Sequence, residues 1–183
     1  MELVTHKKLY LVSGRISRPL AESIAAEMGE SLGEPNLAEF SNGEIHCRFS
    51  ESIRGCDVFI IQTHCHEPGS SINDALMEQL IMVDAARRAS AKRITVVCPH
   101  YGYARQDRKS SGREPITAKL VANLFKEAGA SRLVSVDLHS GQIQGFFDGP
   151  VDHLTAMPVL VDRLRSLEGD LTIVSPDAGR VKV

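Results

Sequence analysis

Two hydrophobic patterns alternate along the chain, one typical of buried strands and the other of amphipathic helices. Runs of strand length occupy 9–12, 57–62, 94–98 and 133–136, and residues 45–49 alternate as a half-buried strand does. Helical spacing covers 19–28, 73–88 and 116–125, with apolar stripes formed by Leu76, Met77, Leu80 and Ile81 and by Ile116, Leu120, Val121, Leu124 and Phe125. The alternation predicts an α/β fold, in which helices flank a mainly parallel sheet and ligands bind beyond the strands' carboxyl ends.

The chain beyond residue 150 predicts the beginning of a second unit. Pro150 and Pro158 bracket a turn-like passage, and a helix over 159–167 and a strand over 171–174 follow it. We therefore divide the sequence into an N-terminal α/β domain at 1–150 and a C-terminal domain at 151–183 that is only begun. We expect the sequence to have been cut before that second domain is complete.

Composition and charge narrow the class of protein. The chain has 183 residues, of which 43% are hydrophobic, enough for one well-cored domain. A net charge of -2 gives no electrostatic reason to expect nucleic acid or anionic membranes as partners. The first eight residues lack the apolar core of a secretory signal, and the four cysteines form no CxxC pair. We expect reduced thiols and a cytoplasmic protein.

Asp137 and His139 stand directly after the predicted strand at 133–136. Because alternate residues of an extended segment point to one side, the two side chains are expected to face a common target. A carboxylate beside an imidazole at the end of a buried strand can hold a divalent metal or a metal-bound phosphate. The alternative is a pair of loop residues that only hydrogen-bond to their neighbours.

A cationic loop at 105–113 follows the predicted strand at 94–98. It holds Arg105, Arg108, Lys109 and Arg113 against a single central acid, Asp107. Guanidinium forks and a lysine ammonium match phosphate oxygens. The loop's place after a strand favours phosphate binding over the alternative, a loop that is only solvated.

Two further segments allow more than one interpretation. Asn42-Gly43 between two apolar runs predicts a β-hairpin, whose tip presents Phe40 and Glu44 beside the asparagine. Such a tip can also bind an adenine base, but by itself the segment establishes only the turn. The segment His64-Cys65-His66 invites a zinc interpretation, yet its spacing matches no common zinc framework, so we expect structural roles there.

Eight motifs occur in an order that resembles one family. They include Phe-Ser-Asn-Gly-Glu, Tyr-Ala-Arg-Gln-Asp-Arg-Lys and Val-Asp-Leu-His, and they occupy 40–44, 52–58, 76–82, 103–109, 115–124, 136–139, 142–148 and 174–179. Together they resemble the ribose-phosphate pyrophosphokinases, also called phosphoribosyl pyrophosphate synthetases, of the bacterial type. The resemblance runs from about residue 9 to the last residue, and it implies that both domains have a phosphoribosyltransferase-like fold.

The resemblance implies roles for particular residues of this sequence. ATP would be bound by Phe40, Asn42, Glu44, Arg105, Gln106, Asp107, Lys109 and His139, with the first three clasping adenine across a subunit interface. The metal ligands would be His139, Asp177 and Asp137. A regulatory site for phosphate or ADP would include Ser52 and Arg54. No catalytic residue is expected within the chain, because the family's Lys/Arg loop would lie beyond Val183.

The resemblance also implies an activity and its partners. The family transfers the diphosphoryl group of Mg-ATP to ribose 5-phosphate, which gives phosphoribosyl pyrophosphate and AMP for nucleotide biosynthesis. Mg²⁺ would be the cofactor, and the protein would form a homo-oligomer, a hexamer of dimers. We expect the 183 residues by themselves to bind nucleotide at best, without turnover.

Three alternatives differ from this interpretation. A non-catalytic regulatory subunit would be expected to have lost the metal and ATP residues, whereas Arg105, His139 and Asp177 are all present. A phosphoribosyltransferase of nucleotide salvage would have no use for the adenine clasp. A nucleic-acid-binding module would be expected to carry a basic stripe on its surface. The net charge of -2 and the lack of such a stripe in the sequence argue against this alternative.

Overall fold

Buried apolar runs pair side by side into one parallel sheet. The computed structural model describes residues 8–170 and 172–175. The strands are β1 (Leu9–Ser13), β2 (Leu32–Gly33), β3 (Pro35–Glu39), β4 (Ile45–Phe49), β5 (Asp57–Ile61), β6 (Arg93–Cys98), β7 (Arg132–Val136) and β8 (Val151–Leu154). The helices are α1 (Arg18–Met28), α2 (Ile72–Arg88), α3 (Thr117–Ala128) and α4 (Met157–Arg165), with a 3₁₀ turn at Gly141–Gly145.

The main sheet has six strands in the order β2-β1-β5-β6-β7-β8, and every pairing in it is parallel. The small antiparallel hairpin β3–β4 stands apart from it. Residues of α2, α3 and the central strands share one buried apolar core, in which Phe125, Met82 and Leu133 are fully enclosed. The α/β fold predicted from the sequence, a mainly parallel sheet with flanking helices and a hairpin, is confirmed.

The helices lie where the periodicity predicts, but the buried faces of two of them differ from the predicted stripes. In α2, Met77 is 53% exposed, whereas Glu78 and Gln79 are buried together with Ala75, Met82, Val83 and Ala86. In α3, Leu120 is 53% exposed, whereas the small Ala118 and Ala122 are buried beside Val121 and Phe125. The reason is that small residues let the helices approach the sheet, while the polar pair on α2 finds hydrogen-bond partners inside.

The passage after residue 150 differs from its prediction as a turn. Val151–Leu154 forms the edge strand β8, which pairs with β7, and backbone bonds from Leu133 N to Pro150 O (3.0 Å) and from Asp137 N to Leu154 O (2.9 Å) hold it there. The polar Asp152 and His153 obscure the strand pattern in the sequence. The sheet thus continues past the predicted boundary at 150, and the division into two domains stays a prediction.

Residues at the end of the described chain also differ from expectation. The predicted helix at 159–167 is found as α4, two residues earlier, and the described side chains of this helix are all exposed to some degree. Thr172, Ile173 and Val174 do not form the predicted strand, and Ile173 is 85% exposed, since no neighbouring strand pairs with it in the described chain. No helix within the described residues is long and apolar enough to cross a membrane.

Candidate nucleotide-binding site

A large cavity lies where two neighbouring strands end. β6 and β7 are adjacent and parallel, so their carboxyl ends bring the segments at 100–106 and 136–139 to the same edge of the sheet. These two segments and one residue of α2 enclose about 440 Å³. The lining consists of Ile72, His100, Tyr101, Tyr103, Ala104, Arg105, Gln106, Val136, Asp137, Leu138 and His139. Four residues singled out in the sequence, Arg105, Gln106, Asp137 and His139, therefore meet in one cavity.

The turn after β7 differs in backbone conformation from the extended segment that the sequence predicts. Asp137 has a φ of 44°, so the segment is not extended and the argument from alternating residues was wrong in its premise. Its carboxylate accepts hydrogen bonds from the Thr155 hydroxyl (2.9 Å) and the Ala156 amide (3.1 Å). The carboxylate therefore also ties the loop after β8 to this edge. The imidazole of His139 is exposed at the cavity.

Asp107 links the two loops that line the cavity. Its buried carboxylate accepts hydrogen bonds from the Ser140 hydroxyl and from Gln142 Nε2, the latter at 2.9 Å. The bond from Ser140 holds the pKa of Asp107 below its usual value, so the group is ionised near neutral pH. Asp107 does not line the cavity itself. Its predicted contact with ATP stays a prediction, and the hydrogen-bond partners Ser140 and Gln142 are residues of the protein itself.

Arg105 and Gln106 are exposed, and both line the cavity from the loop that follows β6. The Gln106 carbonyl oxygen accepts a hydrogen bond from Ala118 N (3.1 Å), and its side-chain oxygen accepts one from the Thr117 hydroxyl. These two bonds fix the loop to the first turn of α3. The Arg105 guanidinium is thus carried on a loop whose next residue is fixed to α3, which suits the presentation of a fixed positive charge.

The remainder of the cationic loop lies outside the cavity. Glu114 closes it, since its carboxylate accepts from Ser110 N (2.7 Å) and Ser111 N (2.9 Å), and the Ser111 bond lowers the pKa of Glu114. Arg108, Lys109 and Arg113 are exposed and do not contribute to the lining. The predicted binding of ATP by Lys109 therefore stays a prediction that the cavity does not explain.

The predicted hairpin is confirmed, with its tip at 40–44. Phe40 N donates to Glu44 O (2.9 Å), Gly43 has a φ of 87°, and Asn42 Oδ1 accepts from Glu44 N (3.2 Å). Phe40 is 57% exposed and packs edge-on against His46 at 5.9 Å between ring centroids. None of the three tip residues lines the 440 Å³ cavity. Their contact with adenine stays a prediction.

Comparison with known proteins assigns the chain to a family. The model for the N-terminal domain of ribose phosphate pyrophosphokinase matches residues 9–129. The chain belongs to the ribose-phosphate pyrophosphokinase family. A ribose-phosphate pyrophosphokinase of Bifidobacterium longum is 56% identical in an alignment of 181 positions that covers 97% of this chain and 52% of the relative. The ribose-phosphate pyrophosphokinase of Corynebacterium efficiens is 54% identical, in an alignment that covers 97% of this chain and 54% of the relative.

A solved structure of the same family agrees with the fold. The crystal structure of phosphoribosylpyrophosphate synthetase from Mycobacterium smegmatis matches with a TM-score of 0.82 and 54% identity, over 86% of this chain and 52% of that one. The chain therefore spans about half the length of the ribose-phosphate pyrophosphokinases that it matches.

The regulatory residues implied by the family resemblance lie at a second cavity. Ser52 and Arg54 line about 320 Å³, together with Cys47, Arg48, Phe49, Glu51, Ile53, Ala85 and Ala89. Burial raises the pKa of the Cys47 thiol to about 11, which keeps it neutral near neutral pH. Two arginines at one cavity provide positive charge of the kind that phosphate groups require.

The donor set for a metal is small among the described residues. No group of three or more His, Cys, Asp or Glu within the described residues could hold a metal ion, and Asp177 lies outside them. Asp137 and His139 line the same cavity. Mg²⁺ usually takes only one or two protein carboxylates and completes its shell with water and phosphate oxygens. The residues present therefore fit a magnesium ion that arrives with a nucleotide.

Sequence reasoning missed several residues of this site. Ile72, His100, Tyr101 and Tyr103 line the cavity without having been predicted. The Tyr101 hydroxyl donates to Ala118 O (2.9 Å), and Tyr103 has a φ of 62°. For the residues at 100–103, the available signal was their place directly after the strand at 94–98. Nothing in the sequence indicated that the beginning of α2 would close the cavity through Ile72.

Proposed function

We propose that the chain binds Mg-ATP in the 440 Å³ cavity and serves the ribose-phosphate pyrophosphokinase reaction. The observation that carries this proposal is the meeting of Arg105, Gln106, Asp137 and His139 in one cavity at the carboxyl ends of β6 and β7. Parallel sheets bind phosphorylated ligands at that edge. The curated relatives with the name of this enzyme, at 54–56% identity, support the same assignment.

The proposed reaction needs positioning and charge neutralisation more than covalent help from the protein. The C1 hydroxyl of ribose 5-phosphate attacks the β-phosphorus of ATP, the bond from that phosphorus to the α,β-bridging oxygen breaks, and AMP leaves with that oxygen. The hydroxyl proton passes to solvent or to a base. Magnesium, when bound, neutralises charge on the phosphate oxygens.

This chain's own residues would prepare the triphosphate for that attack. The Arg105 guanidinium donates paired hydrogen bonds to phosphate oxygens. His139 would ligate the metal, and the Asp137 carboxylate, which lines the same cavity, would accept a hydrogen bond from a metal-bound water. Asp107 keeps the two loops at a fixed separation through Ser140 and Gln142.

Replacing Arg105 by alanine tests the nucleotide site. We expect the dissociation constant for Mg-ATP, measured by calorimetric titration, to rise tenfold or more, because one charge-assisted bidentate contact contributes about 1.5–3 kcal/mol. Arg88→Ala is the matched control, since Arg88 is an exposed arginine of α2 that pairs with Asp84 and does not line the cavity. Equal affinities for the two variants would contradict the assignment. A wild-type protein without magnesium-dependent ATP binding would favour the alternative of a non-catalytic regulatory subunit.

A separate prediction concerns the second cavity. We propose that Ser52 and Arg54 bind the phosphate groups of ADP or inorganic phosphate as part of a regulatory site. ADP titration of the wild type is then expected to show two classes of site, and Arg54→Ala is expected to remove one of them. Arg165→Ala, an exposed arginine of α4 outside the cavity, serves as control. Two classes of site in the Arg54 variant would contradict this placement.

The remaining parts of the proposal concern assembly and compartment. The exposed Phe40, with Asn42 and Glu44, would complete the adenine site of a neighbouring subunit, so the protein would act as a homo-oligomer of the hexameric type. The absence of these hairpin-tip residues from this chain's own cavity lining supports that requirement. Ribose 5-phosphate would be the second substrate, and the compartment would be the cytoplasm.

A further inference from the structure

The buried His64 is connected to the loop that lines the nucleotide cavity. Its side chain is fully enclosed, and its ring stacks on Phe125 with 5.9 Å between centroids and 12° between planes. Nδ1 accepts a hydrogen bond from Gly102 N (2.9 Å), so the ring proton resides on Nε2, which donates to Gln79 Oε1 (2.8 Å). Both nitrogens are therefore used within the protein, and neither is left for zinc.

Gln79 fixes the orientation of that ring. Its Nε2 donates to the carbonyl oxygens of Ile60 (2.9 Å) and Val97 (3.3 Å), which lie on two neighbouring strands. Its Oε1 must then accept, and the Cys98 thiol donates to it at 3.3 Å beside the imidazole. The amide cannot be reversed without placing its Nε2 against the two donors that now face Oε1. The sheet thus sets the tautomer of His64 through Gln79.

His64 holds the loop at two points, one through its backbone amide and one through its ring. His64 N donates to His100 O (3.1 Å), two residues before the bond from Gly102 N to the ring. A side chain at position 102 would not fit, because its Cβ would lie 2.9 Å from His64 Cβ. Burial lowers the pKa of His64 to about 4, so Nδ1 stays an acceptor throughout the neutral range.

The anchored loop carries much of the cavity wall. His100, Tyr101, Tyr103, Ala104, Arg105 and Gln106 all line the cavity, and Gly102 is in their midst. We infer that His64 is a positioning residue for the nucleotide site, acting through its Nδ1 bond to Gly102 rather than through contact with a ligand. This inference rests on the proposed binding of Mg-ATP in that cavity. It also gives the His64-Cys65-His66 segment a role that is not metal binding.

Two single substitutions separate the bond that anchors the loop from the bond that orients the ring. In His64→Asn, the side-chain Oδ1 can take the place of Nδ1 as acceptor for Gly102, while the bond to Gln79 is lost. In His64→Gln, the terminal amide can keep the bond to Gln79, while the acceptor for Gly102 is lost. Both replacements are smaller than histidine and polar, and they differ from each other by one methylene, so the unfolding midpoint is measured for both to account for the packing that each loses.

The readouts are amide hydrogen exchange at Gly102, Mg-ATP affinity and the midpoint of thermal unfolding. We expect exchange at Gly102 to be about tenfold faster, and the dissociation constant about tenfold higher, in His64→Gln than in His64→Asn, at similar unfolding midpoints. Equal exchange at Gly102 in the two variants would overturn the anchoring role. Faster exchange in His64→Gln without weaker Mg-ATP binding would overturn the role in nucleotide positioning.

The wild-type protein supplies a measurement that depends on no variant. The ¹⁵N shifts of the His64 ring are expected to report the neutral tautomer with its proton on Nε2 between about pH 5.5 and 8. The other tautomer, or a ring that titrates with a pKa near the ordinary value of about 6.5, would contradict the anchor even if both variants failed to fold. A wild type that does not bind Mg-ATP would overturn the proposed function, while exchange and ring shifts would still decide the anchor.

Discussion

Alanine in place of His139 is expected to weaken Mg-ATP binding by about ten- to a hundredfold. The imidazole lines the same cavity as Arg105, and the loss of one hydrogen bond or ligand bond to a charged group removes about 1.5–3 kcal/mol. The effect should depend on magnesium, because the proposed partner of the imidazole is the metal bound with the triphosphate. Calorimetric titrations with magnesium and with a chelator measure both quantities.

The matched control for that change is His66→Ala. His66 is an exposed histidine outside the cavity lining, so its removal should leave the dissociation constant within about twofold. If the two alanine variants bind Mg-ATP equally well, His139 is not a ligand. If the loss at position 139 is the same with and without magnesium, the imidazole contacts the nucleotide directly and the metal assignment fails.

Alanine in place of Glu78 is expected to reduce the free energy of unfolding by about 3–5 kcal/mol. This carboxylate is 1% exposed and accepts hydrogen bonds from Arg15 N (2.8 Å), from the Arg15 guanidinium and from Gln62 Nε2 (2.8 Å). Its removal leaves the Arg15 backbone amide and the Gln62 side-chain amide without this acceptor, at about 1–3 kcal/mol each, while the guanidinium keeps Glu39 as a partner. Urea unfolding followed by circular dichroism measures the change.

The same helix offers a matched control for the Glu78 prediction. Asp84 forms an ion pair with Arg88 one turn apart, but both side chains are largely exposed. Asp84→Ala should therefore change the free energy of unfolding by less than about 1 kcal/mol. A loss at Glu78 as small as the loss at Asp84 would mean that the buried network around Arg15 contributes little to folding.

The sequence was sufficient for the elements whose pattern is local. The strands at 57–61 and 93–98 have continuous β-branched and apolar runs, and the hairpin has its Asn-Gly turn, so each could be placed from neighbours alone. The location of the candidate site followed from a rule about parallel sheets, namely that ligands lie beyond the strands' carboxyl ends. Arg105 and His139 could therefore be singled out by their positions directly after two predicted strands.

The predictions that were wrong concern features set by contacts between residues distant in sequence. Glu78 and Gln79 were passed over for Met77 because the pattern counts them as polar, whereas Arg15, Gln62 and His64 supply their partners inside the fold. β8 was missed because its polar residues lie at an edge and its pairing with β7 is set by the sheet. The backbone of Asp137 turns to a positive φ that its residue type does not reveal.

The central claim is that Mg-ATP occupies the cavity between the segments at 100–106 and 136–139. Amide chemical-shift mapping of the 20.0 kDa chain during a Mg-ATP titration tests it most directly. We predict the largest saturable shifts at Gly102, Arg105, Gln106 and at residues 138–140. Shifts confined to the exposed cations at 108–113, or spread without saturation over the surface, would contradict the account.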